Sequence, residues 1–94
     1  MFVIILKYKK SLDIIDKYLE EHRAYLDSAY KANLLVVSGP QIPRTGGIII
    51  SHLKELKLVE DFIKKDPYYI NDLADYEIIE FDPVKYHAEF AGFI

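Results

Sequence analysis

Three short stretches of this chain, Phe2–Leu6, Leu34–Val37 and Ile48–Ile50, are apolar at both parities. A β-strand sends successive side chains to opposite faces, so a run apolar at every position needs both faces kept from water. The longest run, Met1–Leu6, is about a third of what a membrane span requires. Lys7, Lys9 and Lys10 follow it, the reverse of the charge order in an export signal, so a cytoplasmic protein is expected. At 94 residues one core is expected, with roughly 65% of the unfolded surface buried, little enough that a partner subunit would help. With 12 basic against 15 acidic side chains, net −3, the chain is poorly suited to a polyanion. The absence of cysteine excludes a disulfide framework and a thiolate zinc site.

Glycine and proline divide the chain at Gly39–Gly47, Asp66–Pro67 and Asp82–Pro83, and the segments between them have distinct periods. Phe2–Tyr8 reads as a central strand. Leu12, Ile15, Leu19, His22, Leu26 and Ala29 then recur at steps of three and four, one stripe of a helix of about 30 Å. Ser11 is placed to cap it, Asp13 and Asp16 suit its positive end, Lys31 its negative end, and Asn33 a left-handed stop. Leu34–Ser38 and Gly47–Ser51 read as strands joined by a loop long enough to face a ligand. A second helix runs from about Leu53 until Pro67 forces Asp66 out of helical geometry. A short helical turn through Ala74 precedes a last strand, Asp75–Phe81. The order β-α-β-β-α-β predicts a single α+β domain over residues 1–94. Its fold is ferredoxin-like, with a four-stranded antiparallel sheet and both helices on one face. The helix-free face stays apolar, which predicts a homodimer packed sheet to sheet. Residues 83–94, where Val84, Tyr86, Ala88 and Phe90 alternate with polar residues, read as a strand or arm docked on an apolar surface.

His22 sits in the middle of the helix's apolar stripe and must point inward. A core histidine bonded to one carbonyl would read the same way; a general acid or base on a pocket floor is the alternative. Asp66 before Pro67 has the pattern of a helix N-cap, which alone explains it. If it meets His22, the carboxylate would hold the ring's tautomer and stabilise its protonated form. Ser38, Gly39 and Pro40 end a strand, yet glycine also admits a ligand to the backbone, and Arg44 in the following loop can grip a carboxylate or phosphate. Tyr25 and Tyr68 could line a cavity or simply pack. The three histidines lie about thirty residues apart, so no metal site is expected. No phosphate loop is present, and the third strand lacks the aromatics of an RNA-binding sheet.

These residues together resemble the YCII-related proteins. The likeness rests on the apolar first strand, the helix with His22-Arg23-Ala24-Tyr25-Leu26, the strand ending Ser38-Gly39-Pro40, glycine before the third strand, and Asp66-Pro67-Tyr68. It implies a ferredoxin-like fold dimerising through its sheets, a catalytic pair in His22 and Asp66, and Ser38, Gly39 and Pro40 beside them in a cleft. Among the family's named activities is dehydrochlorination of an aromatic ring. Two positions depart from its pattern: Leu19, where members often carry arginine, and Asp72, where they often carry glycine. The leading expectation is a cofactor-free enzyme in which His22 moves a proton on a small cyclic or aromatic metabolite, by elimination or isomerisation. Asp66 orients the ring, while Ser38, Gly39, Pro40, Arg44, Tyr68 and Tyr25 bind the substrate. A non-catalytic ligand-binding or regulatory dimer and a cofactor-independent oxygenase stay open.

Overall fold

The computed structural model describes residues 1–94. Its strands are β1 (Phe2–Tyr8), β2 (Leu35–Pro40), β3 (Gly46–Ser51) and β4 (Ala74–Glu80). They form one antiparallel sheet in the order β2-β3-β1-β4. The two βαβ-like halves therefore interleave, and the most apolar strands, β1 and β3, take the centre, as a ferredoxin-like fold requires. Four helical segments lie between the strands: α1 (Leu12–Lys17), α2 (Leu19–Lys31), α3 (Leu56–Lys64) and α4 (Pro67–Ile70).

One parity of each strand builds the core. Phe2, Ile4 and Leu6 of β1 and Ile49 of β3 are buried, joined by Ile15, Leu26 and Ala29 from the first helical pair and Val59, Phe62 and Ile63 from α3. The other parity makes the opposite face. Val3 pairs with Ile50 and Ile79, and Ile5 with Ile48; Val37 beside Ile50 is 53% exposed and Ile79 43%. The apolar second face expected from the sequence is therefore present.

The helix expected as one piece is two. Tyr18 leaves helical geometry at φ −111°, ψ 2°, and its N–H turns back to the Ile15 carbonyl, while His22 N–H already reaches Tyr18 and resumes the ladder. Such a break keeps the phase of the stripe, so the periodicity does not reveal it. Its effect is local: Ile15 is fully buried while Leu12, expected on the same stripe, is 42% exposed. Ser11 stands at the N-cap with no side-chain bond to the helix. Asn33 does take the left-handed stop, at φ 61°. The turn after Pro67 ends at Ile70 rather than Ala74, because Asp72 turns left-handed (φ 55°). Aspartate tolerates that region better than most residues, and here its carboxylate also pairs with Lys9. The tail is no strand: Ala88–Phe93 coils into a 3₁₀ helix, with Phe93 edge-on to His52. Alternation in so short a segment is a weak signal once no strand edge receives it.

Gly46 admits no other residue. Beside its register partner Lys7, the Leu6 carbonyl oxygen would lie 1.8 Å from a Cβ there, so only a bare backbone lets β3 start beside β1.

Candidate active site

Two turns of helix bring the central groups together. His22 rides on the buried side of α2, and Asp66 caps α4, with Pro67 at the first helical position and the Tyr68 N–H donating to Asp66 Oδ1 at 3.0 Å. His22 Nδ1 stands 2.8 Å from the same oxygen. Tyr76, from β4, donates its hydroxyl to Asp66 Oδ2 at 2.7 Å. Asp66 is wholly buried and His22 9% exposed. An ionised carboxylate only accepts, so the imidazole donates its Nδ1 hydrogen to Asp66, and in the neutral ring the lone pair falls on Nε2. The ring is held from a second direction by Tyr68, stacked parallel at 3.9 Å.

His22 opens on a pocket of about 240 Å³ between the sheet and α2. Ser38, Gly39, Pro40, Arg44 and Tyr68 line it with His22, as do Leu19 and Arg23. Of the other residues expected at the site, Asp66 stands behind His22 and is not part of the wall. Tyr25 is not part of the wall either: its hydroxyl donates to the Phe62 carbonyl at 2.6 Å and its ring stacks on Phe62. Ser38 is already engaged, 2.6 Å from the Tyr30 hydroxyl. Arg44 reaches back from its loop to Asp16, with Nη2 2.6 Å from Oδ1, and lies over the ring of Tyr8 at 5.9 Å. That contact is an ion pair, and it fixes the direction in which the guanidinium points. The Asp16 bond raises the pKa of Arg44 above its ordinary value.

Burial acts strongly on the tyrosines. It pushes Tyr68 up to about 12 and, with the Asp66 charge, Tyr25 to about 12. Tyr76 is driven higher still, first by burial and then by the carboxylate it bonds. All three are neutral donors in the physiological range. No three His, Asp or Glu side chains converge as a metal site would require.

Tyr76 and Tyr8 were not singled out by sequence reasoning. The signal for Tyr76 is its parity: once β4 is in register, Tyr76 pairs with Leu6, whose side chain faces the helices. Tyr8 needs tertiary placement, since its neighbours in the site come from the β2–β3 loop and α4.

The fold and site define an α+β domain of the ferredoxin-like class with a buried carboxylate–imidazole pair beneath a small pocket. The YCII-related domain model matches residues 1–82, and the chain belongs to that family. No curated protein matches it significantly. Among solved structures it is similar to 5-chloro-2-hydroxyhydroquinone dehydrochlorinase from Burkholderia phenoliruptrix AC1100, in complex with 2,5-dihydroxybenzoquinone. The two share 20% identity with a TM-score of 0.72 over 87% of this chain and 94% of that one, a likeness of fold. No helix here is long and apolar enough to cross a membrane.

Proposed function

We propose that the protein is a small enzyme that needs no cofactor and in which His22 moves a proton on a single-ring metabolite, by elimination or isomerisation. The observation that carries this reading is the orientation of the imidazole: Nδ1 is committed to Asp66, while the residue itself borders the pocket. Nε2 accepts a proton from the bound ring, and the imidazolium that forms lies against the Asp66 carboxylate, which offsets its charge without moving. The same nitrogen returns the proton to another atom in an isomerisation, or to the leaving group or solvent in an elimination. A cavity of about 150 Å³ accepts benzene, so the pocket's 240 Å³ suits one substituted ring. The structural neighbour's named substrate, a chlorinated hydroxyhydroquinone, is of that size and supports the choice.

The active unit in this reading is a homodimer closed through the apolar sheet faces. The residues that favour it are Val3, Ile5, Val37, Ile48, Ile50 and Ile79, a continuous surface that a lone subunit leaves partly wet.

The test is turnover of chlorinated and unchlorinated hydroxyhydroquinones and related rings by the wild-type protein, His22→Gln and Asp66→Asn. Loss of general base catalysis typically costs 10²- to 10⁴-fold in kcat, and a fall of that order in both variants, with the fold retained, is expected. Unchanged turnover in both would make the pair structural.

A further inference from the structure

The pocket's charge runs against that of the chain. Acidic side chains outnumber basic ones, 15 to 12, and the sequence holds two arginines, Arg23 and Arg44. Both line the pocket, and no aspartate or glutamate does. Tyr68 lines it as well; the residue is 1% exposed and its hydroxyl is buried with no hydrogen-bond partner. Its neighbours, the edge-on ring of Tyr8 and the guanidinium of Arg44, offer it no acceptor in hydrogen-bonding geometry. A buried donor left unmatched is costly and calls for an explanation. Beside the orphan hydroxyl stands the Arg44 guanidinium, held from its other side by Asp16.

We propose that Arg44 and the Tyr68 hydroxyl form an anion subsite within the pocket, which takes an ionised oxygen of a single-ring ligand, a phenolate or a carboxylate. The proposal rests on the reading that the pocket receives such a ring, and it names the charge the ring carries. A ligand oxygen gives the Tyr68 hydroxyl the acceptor it lacks and lies in the same pocket as the Arg44 charge. Asp16 holds Arg44 from outside the wall, so the guanidinium is positioned before the ligand arrives. Burial keeps Tyr68 protonated, with its pKa up to about 12, so it donates to an anion rather than repelling it. Because the same tyrosine ring lies parallel to the imidazole at 3.9 Å, one rigid residue sets the spacing between the anchored oxygen and His22. A ligand oxygen fixed in this way also stabilises negative charge that develops on the ring as its proton leaves.

The experiment measures binding of 4-nitrophenolate and benzoate to the full chain by calorimetry, against their neutral counterparts 4-nitrotoluene and benzamide, at a pH where the first two are ionised. At least one anion binds roughly tenfold or more tightly than its counterpart, and which anion is preferred distinguishes phenolate from carboxylate. Tyr68→Phe, which keeps the stacked ring, and Arg44→Gln each weaken that anion by about five- to tenfold and leave the neutral probes unchanged, the scale of one hydrogen bond to a charged group. Tyr68→Phe does not lower the melting temperature, since its hydroxyl has no partner in the free protein and removing an unmatched donor relieves its cost. Equal binding of charged and neutral probes, or equal weakening of all of them by both variants, would overturn the subsite. These probes do not react, so the result is independent of catalysis. Anion preference without His22-dependent turnover sinks the enzymatic reading alone, and turnover without anion preference sinks the subsite alone.

Discussion

The two faces of the sheet are built from the same residue types and put to opposite uses. On the helix-covered face, polar groups are buried among isoleucine, leucine and phenylalanine; in the His22–Asp66 network His22 and Tyr76 are matched to Asp66, and elsewhere Ser51 donates to the Leu34 carbonyl. The open face is aliphatic across β1, β3 and the centre of β2, without a buried ionisable group. Burial explains the contrast. In a closed, low-dielectric interior a hydrogen bond or ion pair has a defined partner and strength. In the proposed dimer the open face has only to meet its copy, and residues that hold no water serve that contact.

The sharpest way to break this comparison is to remove the one acceptor on which the covered face depends. Asp66→Ala leaves the His22 ring, the Tyr68 N–H and the Tyr76 hydroxyl without their partner at once. A loss of about 3–5 kcal/mol is expected, measured by denaturant unfolding. On the open face the converse holds. Ile50→Asp places a charge among Val3, Val37 and their neighbours without touching the core. If the proposed dimer closes through this face, the wild-type protein sediments as a dimer at micromolar concentration and the variant as a monomer with an unchanged circular dichroism spectrum; a monomeric wild type overturns the dimer. A variant that stays dimeric would place the interface elsewhere.

A finer cut separates the anchor of the pair from the pair itself. Tyr76→Phe removes one donor from Asp66 and keeps the ring, so about 1–3 kcal/mol of stability is lost. In the functional reading the pH profile of kcat also shifts, because the carboxylate facing the imidazolium changes its environment. A stability loss with an unmoved profile would make Tyr76 a purely structural partner. The smallest effect is alkaline. The pKa values of Tyr25 and Tyr68 are raised from 10.0 to about 12 by burial, so the folded state holds protons that the unfolded chain releases. Their contribution to stability is complete below pH 10 and falls as pH rises from 10 through 12. Unfolding free energy measured across that window should decline, and less steeply in Tyr25→Phe.

Much of this was readable from the residues alone. The succession of strands and helices, the two-sided apolar runs and the inward histidine are consequences of period and parity, which a linear sequence carries in full. Asp66 and Pro67 announce a cap in two adjacent letters. What escaped reading depends on three dimensions. The break at Tyr18 preserves the stripe and is therefore invisible to it. The partners of each tyrosine are not local: Tyr25 bonds Phe62 and Tyr76 bonds Asp66, so a residue expected in the pocket packs instead, and one that was overlooked anchors the pair. Tyr68 was expected at the site, but that its hydroxyl is unmatched follows only from where the β2–β3 loop folds back.

Asp66 serves two masters: it starts the turn of α4 and it steadies the imidazole. Selection for a foldable chain and selection for a working one thus act on a single carboxyl group. If the proposed reaction is the protein's work, descendants that abandon it are free to lose His22 long before they can spare its companion, so a surviving aspartate is poor testimony to activity, and a surviving histidine is much better.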